Sequence, residues 1–525
     1  MKAGALGGAG VLLAPGSPAM ARPKKPVNIG PKNPNDRLSL IPGVPKDVLV
    51  IGGGLAGLSA ALELAERGYR VTLKEGGDVM GGRLATRRLE TGAGEFNVEH
   101  GLHMWFNNYH NFRDIRSRLN LDRHFRPYDE VHFVYRDYQP EVMKSEPPTY
   151  PLNLINLLQR SPNMNLFSAF RQLGMLRDVV WYDHTTIYDR LDHVTYQDWA
   201  TNKVSKTFYD VIMEPAASVT LNRVDEVSAA EMIQMMHLYF MSDPRAMRRE
   251  VTTTDHGTAV IDPWVQYLKR LGVDIQLNAP VLGLEFENGA PVKETGHAQR
   301  YDWVVLATSV PGARAIMNGS RAMDAESSMV IDRLASRINL MKVAPPYKVV
   351  RMWFDRQPHP SAPDIIETPQ HPPINLITQF HLLEEESADW AQRTGGSVLE
   401  FHLYANPRLA EMSDDDVWPY IRRTALELLP EMEGARVLGQ TVGSYQDFTS
   451  YEVGQGSVRP TSGFPVDAGA RQMSLAGDWI ATEYPSALME KSVSTGREAA
   501  NHCLLNDAVR QVAMTVTPNQ GPGLL

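Results

Sequence analysis

Gly52, Gly54 and Gly57 stand at the spacing G-x-G-x-x-G directly after the apolar, β-branched run Val48-Leu49-Val50-Ile51. That run reads as a buried parallel strand. The residues after the glycines read as a helix, with small or apolar positions at Leu58, Ala61, Leu62 and Ala65. Each glycine has a separate physical task. Gly52 permits a tight turn, Gly54 lets a pyrophosphate approach the backbone, and Gly57 lets the helix pack closely on the strand. The N–H groups of Leu55 and Ala56, at the start of the helix and its positive dipole end, suit phosphate oxygens. Gly68 breaks the helix, a second strand runs from Tyr69 to Leu73, and Glu75 follows it. A carboxylate about 20 residues beyond the first glycine accepts hydrogen bonds from ribose hydroxyls and disfavours a 2′-phosphate. Strand, turn, helix, strand and acid in this order indicate a dinucleotide site, where the glycine motif alone would not.

Gly81-Gly82-Arg83 comes soon after the acid. A simple NAD domain has no need of it, whereas a glycine pair with an arginine suits a second backbone approach to a pyrophosphate. The whole stretch from Lys46 to Arg83 resembles the FAD-binding entrance of the amine oxidase and carotenoid desaturase superfamily, and FAD is the cofactor this implies. Further on, Glu99, Gly101, Leu102, His103, Phe106, Tyr109 and Asn111 form the pattern E-x-G-L-H-x-x-F-x-x-Y-x-N. It resembles plant-type phytoene and ζ-carotene desaturases, and suits a segment passing under a flavin ring. His103 is the candidate for flavin proximity, against plain hydrogen bonding in a packed turn; for His100 the plain role is expected.

Leu475-Ala476-Gly477-Asp478 and the later Met489-Glu490 resemble the superfamily's C-terminal strand end and helix start, and Arg459-Pro460 also fits. The resemblance implies Asp478 at the ribityl or phosphate region, and backbone N–H groups near Met489 facing the flavin N1/O2 edge. A helix N-terminus there stabilises the negative charge of a reduced flavin. Lys491-Ser492 depart from the usual Gly-Ala, and Lys491 is expected to point to solvent. The resemblance spans about residues 46 to 503. It also implies that Val281 sits near the adenine and that the chain returns repeatedly to the FAD domain.

The 525 residues are 43% hydrophobic, enough for two or three domains and a large core, with net charge −9 and no lysine or arginine block. Nucleic acid is therefore an unsuited partner. A single cysteine, Cys503, excludes an intrachain disulfide and a C-x-x-C redox pair, and the histidines show no metal-ligand spacing. Redox chemistry must come from a bound cofactor. No second glycine motif for NAD(P)H is present, so the resemblance implies reoxidation by a membrane quinone or by oxygen.

The expected architecture is α/β, a Rossmann-like FAD-binding domain interleaved with a mixed sheet-plus-helix substrate domain. The segments are a leader and linker (1–45), FAD-domain parts (46–130, 251–345, 436–505), substrate-domain parts (131–250, 346–435) and a tail (506–525). Lys2, the mild apolar run Ala3 to Leu13 and Ala19-Met20-Ala21 have the layout of an export signal, resembling the tail of a twin-arginine type without its arginine pair. A disordered cytoplasmic leader fits equally. Strands are expected at Val273–Leu277, Val281–Phe286, Tyr301–Thr308, Val349–Phe354 and Val398–Tyr404, the last alternating, with a helix from 414 to 429.

Residues 151–181 are apolar with Arg160, Arg171 and Arg177 as the charges before Asp178. They suit peripheral membrane contact and a door for a lipid, or ordinary core. The stripe Met232 to Met241 suits either a greasy tunnel or core. Three functional readings follow from the resemblance. The first is desaturation of a long apolar isoprenoid such as phytoene or ζ-carotene, by hydride transfer to flavin N5. The second is a related flavoenzyme without net oxidation, such as a hydroxysqualene dehydroxylase or polyene isomerase. The third is an amine oxidase, with Trp105, Tyr445, Phe448 and Tyr451 as the aromatic cage. A non-enzymatic flavin binder would hold a flavin that no substrate reduces.

Overall fold

The computed structural model describes residues 25–29, 39–144, 160–164, 173–243 and 245–523. β1 (Asp47–Ile51), α1 (Leu55–Ala65) and β2 (Arg70–Lys74) follow one another as the sequence pattern predicts. β3 (Asp274–Gln276), β4 (Trp303–Leu306) and β5 (Met473–Leu475) join them from far along the chain, in the order β3-β2-β1-β4-β5, every pairing parallel. β1 is continuously apolar because both its faces are covered. Val48 and Val50 pack into one core with α1 and the long C-terminal helix α2 (Leu488–Asn506); Leu49 and Ile51 pack into another with Val304, Leu306 and Leu475. The expected strand Val281–Phe286 is shorter, Leu284–Glu287, and leaves Val281 in the preceding loop.

A seven-stranded sheet forms the second layer, its centre the strands Tyr347–Phe354, Ser397–Leu403 and Leu376–Gln379. Here the alternation of Val398–Tyr404 has an unexpected outcome. Leu399, Phe401 and Leu403 pack under the helix Asp414–Leu428, as do Val350, Met352 and Phe354. The opposite face, carrying Arg351, Glu400 and His402, is also buried. A polar face normally marks solvent; in this sheet it is turned inward.

Three segment boundaries differ from the sequence reading. Val437–Tyr445, assigned to the FAD segment 436–505, pairs with Tyr347–Phe354 at the edge of the seven-stranded sheet. It is mostly half-exposed and lacks the continuous apolar run of a buried parallel strand. Met514–Val516 pairs antiparallel with Val27–Ile29, so the segment 506–525 is not a free tail nor 1–45 wholly a linker. The backbone pairing joins the two segments, while Met514 and Val516 pack on Tyr484. The signal-like residues 1–24 and most of 151–172 lie outside the described residues. Among the described residues no helix is long and apolar enough to cross a membrane.

α1 and α2 cross at Gly496, where a β-carbon would come within 2.3 Å of the Ala56 carbonyl oxygen and 2.8 Å of Ser59 Cβ. We expect Gly496→Ala to force these helices apart at a cost of ~1–3 kcal/mol. A lowered urea midpoint together with reduced flavin content checks this; an unchanged midpoint would contradict it.

Candidate flavin site and cavity

One cavity of about 1360 Å³ runs from the β1–α1 turn into the space between the seven-stranded sheet and the helical residues 206–241. Ligand pockets more commonly measure about 300–1,000 Å³. Its polar end is built on the glycines. Gly52 takes φ +109°, a conformation that L side chains rarely adopt, and a β-carbon there would meet the Ala307 carbonyl oxygen at 2.5 Å. A β-carbon on Gly57 would come within 1.9 Å of the Gly52 oxygen, so this glycine serves helix–strand packing. Gly54 is different, with its nearest neighbour, Gly82 Cα, 4.0 Å from the β-carbon position. The backbone there is left open to a ligand. Glu75 is held by two backbone donors, Gly53 N–H (2.7 Å) and Gly77 N–H (2.8 Å).

Of the residues picked from the sequence, Gly52, Gly54, Leu55, Ala56, Glu75, Gly81, Gly82, Arg83, Leu102, His103, Val281, Gly477, Asp478 and Met489 line this cavity. Gly57 and Gly101 do not; both serve packing. Gly101 has φ +117°, and a β-carbon there would meet His402 Cε1 at 2.9 Å. Arg83 Nη2 pairs with Asp478 Oδ1 at 2.7 Å. Burial opposes the Arg83 charge, but Asp478, Asp447 and Tyr347 hold it on. Asp478 Oδ2 is buried and meets no protein donor, which fits a ligand hydroxyl. His103 Nδ1–H donates to the Gly101 carbonyl (2.9 Å), and burial together with His256 pushes its pKa down to about 3, so it is a neutral imidazole. α2 begins at the cavity with Leu488, whose φ of +53° is a strained start.

The other end is apolar. Met232, Met235, Met236, Tyr239, Phe240 and Met241 line it, whereas Ile233 and Leu238 of the same stretch pack in the core. Tunnel wall and core are thus two faces of one helix. Its last turn, His237–Met241, and the segment Tyr209–Met213 are π-helical, which widens the helix where it borders the cavity.

Tyr347, Asp447, His402, Tyr404, Arg249 and Glu367 also line the cavity, although the sequence pattern does not single them out. His100 Nε2 meets Tyr347 Oη at 2.8 Å, and that hydroxyl reaches Asp447 Oδ1 at 3.2 Å. His100 stacks on Tyr445 with ring centroids 3.4 Å apart. His100 and Tyr445 line the cavity with them. The two-residue rhythm of Tyr347/Val349 and of His402/Tyr404 was the available signal. Two expectations are corrected. Lys491 is 2% exposed, not solvent-facing; its pKa is down to about 8 through burial and Arg459, against the pull of Glu231 and Asp478. Trp105 and Tyr451 belong to no aromatic cage: Trp105 stacks on Phe112 in the core, and Tyr451 lies under Arg459. Phe448 and Tyr445 do face the cavity.

The family model of flavin-containing amine oxidoreductases matches residues 55–504. The chain belongs to that family. It is similar to carotenoid phi-ring synthase of Chlorobaculum tepidum, at 26% identity over 99% of this chain and 97% of that one. The carotenoid phi-ring synthase of Streptomyces griseus is 29% identical over 90% of each chain. A probable zeta-carotene desaturase of Synechococcus elongatus is 20% identical over 88% of this chain and 99% of its own. Among solved structures, reduced UDP-galactopyranose mutase superposes with TM-score 0.61 at 15% identity, over 88% of this chain and 94% of that one. Putrescine oxidase bound to putrescine gives TM-score 0.61 at 14% identity, over 88% and 99%. These two show the fold alone. The chain is a flavin-dependent oxidoreductase of the carotenoid desaturase-like kind.

Asp478→Ala removes the paired charge of Arg83 and leaves Asp447 as the nearby acid. We expect a loss of ~3 kcal/mol, the low end for breaking a buried pair, with weakened flavin retention. Urea midpoint and flavin-to-protein absorbance ratio measure both; wild-type values in the variant would contradict the assignment.

Proposed function

We propose that the chain binds FAD and uses it to desaturate a long apolar isoprenoid of the carotenoid type. The observation that carries this reading is continuity: the glycine cradle and the methionine-lined region belong to one cavity. A cofactor at the first would meet a hydrocarbon in the second. The carotenoid-modifying relatives support the substrate class, and the open backbone at Gly54 with the unpartnered Asp478 Oδ2 supports a dinucleotide carrying ribityl hydroxyls.

Desaturation takes a hydride from one carbon and a proton from its neighbour, and the electrons of the second C–H bond become the new π bond. A bound flavin supplies the hydride acceptor. The chain must position the polyene, exclude water and take the proton. Methionine and aromatic walls suit the first two tasks, because they adapt to a long irregular hydrocarbon and offer it no competing hydrogen bonds. We assign the third to His100. Tyr347 donates to Asp447, so His100 Nε2–H donates to Tyr347 and Nδ1 keeps its lone pair. Burial and the Arg83 and Arg87 cations push His100 well below its ordinary pKa, so the ring starts neutral. It does not keep a second proton: as Nδ1 accepts one, the Nε2 proton passes to Tyr347 and the Tyr347 proton to Asp447. Quinone or oxygen as electron acceptor and contact with a membrane surface through residues 151–181 complete the proposal, with the leader either an export signal or a cytoplasmic segment.

The test is anaerobic mixing of the flavin-loaded protein with phytoene, ζ-carotene, a ring-bearing carotene, hydroxysqualene and a panel of amines, following the flavin's visible absorbance. Bleaching by a polyene, with a product of longer conjugation, is expected, and His100→Ala should slow it ~10²–10⁴-fold at unchanged flavin content. Bleaching by an amine alone would overturn the proposal in favour of an amine oxidase. Product formation without bleaching would place the chain among the isomerising or dehydroxylating flavoenzymes.

A further inference from the structure

Five arginines are buried among the described residues: Arg116, Arg249, Arg351, Arg459 and Arg497. Four of them have a carboxylate within 4.0 Å. Arg249 has none, although it is only 8% exposed and lines the cavity. Its Nε and Nη2 are buried and meet no acceptor in the protein. A guanidinium in that state loses hydration without recovering hydrogen bonds, which folded chains otherwise avoid. Strand pairing fixes its position, since Arg249 lies opposite Phe106, another cavity residue.

Glu367 lines the same cavity, at the end of the strand Ile365–Glu367 and opposite Phe133 and Leu376. Each of the two is the other's opposite charge, yet they form no ion pair. Burial pushes Glu367 up to about 7, with Arg249 pulling it the other way. Burial lowers Arg249 to about 10, so it stays charged at neutral pH. Around them the walls are Met104, Phe106, Phe133 and Leu376.

We propose that Arg249 and Glu367 form a recognition site for a neutral conjugated carbonyl, a polar handle inside an otherwise apolar cavity. The charges select this class. A carboxylate ligand would face Glu367, an ammonium ligand would face Arg249, and a pure hydrocarbon would leave the guanidinium unpaired. A carbonyl oxygen accepts from Arg249 and tolerates Glu367 in either protonation state. Two sources carry that group: a quinone, or a keto end group on a polyene. The inference rests on the cavity being the ligand site proposed above.

The experiment is equilibrium binding to the flavin-loaded protein, read by quenching of tryptophan fluorescence. Two pairs of probes are used: menadione against 2-methylnaphthalene, and canthaxanthin against β-carotene in matched detergent. In the wild type each carbonyl probe should bind more tightly than its hydrocarbon partner. Arg249→Met should weaken carbonyl binding about tenfold or more and leave hydrocarbon binding unchanged, with Arg249→Lys recovering part of the loss. An effect confined to menadione identifies a quinone site, and one confined to canthaxanthin identifies a substrate end. Equal binding of carbonyl and hydrocarbon in both pairs, or no change in Arg249→Met, would overturn the proposal. Flavin content and thermal midpoint verify folding; should Arg249→Met fail to fold, Arg249→Lys makes the same comparison, with a smaller loss of carbonyl binding expected and no loss overturning the proposal. Because no turnover is read, polyenes that fail to bleach the flavin would sink the desaturase reading and leave this result standing on its own.

Discussion

Gly496 of α2 packs against the Ala56 carbonyl of α1, and the next residue, Gly57, packs against the Gly52 carbonyl of the turn before the helix. The first contact joins segments more than four hundred residues apart in sequence; the second closes the turn itself. Because they leave no room for a β-carbon, α2 is drawn down until Leu488 and Met489 reach the rim of the glycine cradle. Ser59 reinforces the crossing by donating to the Val493 carbonyl oxygen at 2.9 Å. Glu63, also on α1 and 1% exposed, pairs with Arg497 of α2 and with Arg118. The cradle is therefore a product of helix packing as much as of the loop that carries its motif.

A second constraint acts on the sheet side. Arg351 sits among three buried carboxylates, reaching Glu400 at 2.9 Å, Glu99 at 3.4 Å and Glu384 at 3.5 Å. Burial opposes a charge on Glu99, but His256 and Arg351 hold its carboxyl well below the usual range. Burial and the Glu99 charge push Glu384 in the opposite direction, well above the usual carboxylate range. Glu400 then accepts from the Leu102 N–H at 3.0 Å and meets His402 at 2.8 Å. The strand face that would normally meet water thus grips the Gly101–Leu102 backbone. Removing one partner from such a network strands the others, which makes it costly to disturb and suited to fixing a wall.

What could be read from the chain followed from locality. The β1–α1–β2 unit, Gly81-Gly82-Arg83 and Gly477-Asp478 are short segments whose residue types are dictated by their own backbone, and each contributes residues to one cavity. His100 lies 247 residues before Tyr347, and Tyr347 lies 100 before Asp447, so the three meet only in the folded chain; each alone has an ordinary reading. Lys491 was misjudged because a lysine near a helix start is usually solvated, and nothing in its neighbours announced Glu231 and Asp478 from other segments. Arg249 was passed over for the same reason. Its significance lies in an absent partner, which no sequence spacing reports.

The central claim is that one internal cavity brings a dinucleotide and a polyene together. The most direct measurement is a crystal structure of the flavin-loaded protein soaked with the polyene that reduces it most readily. The account predicts the pyrophosphate against Gly52–Ala56, the flavin facing His100 and Tyr347, and the polyene running past Met235 and Met236. A polyene seated on the outer surface, or a dinucleotide held away from the glycine cradle, would contradict it.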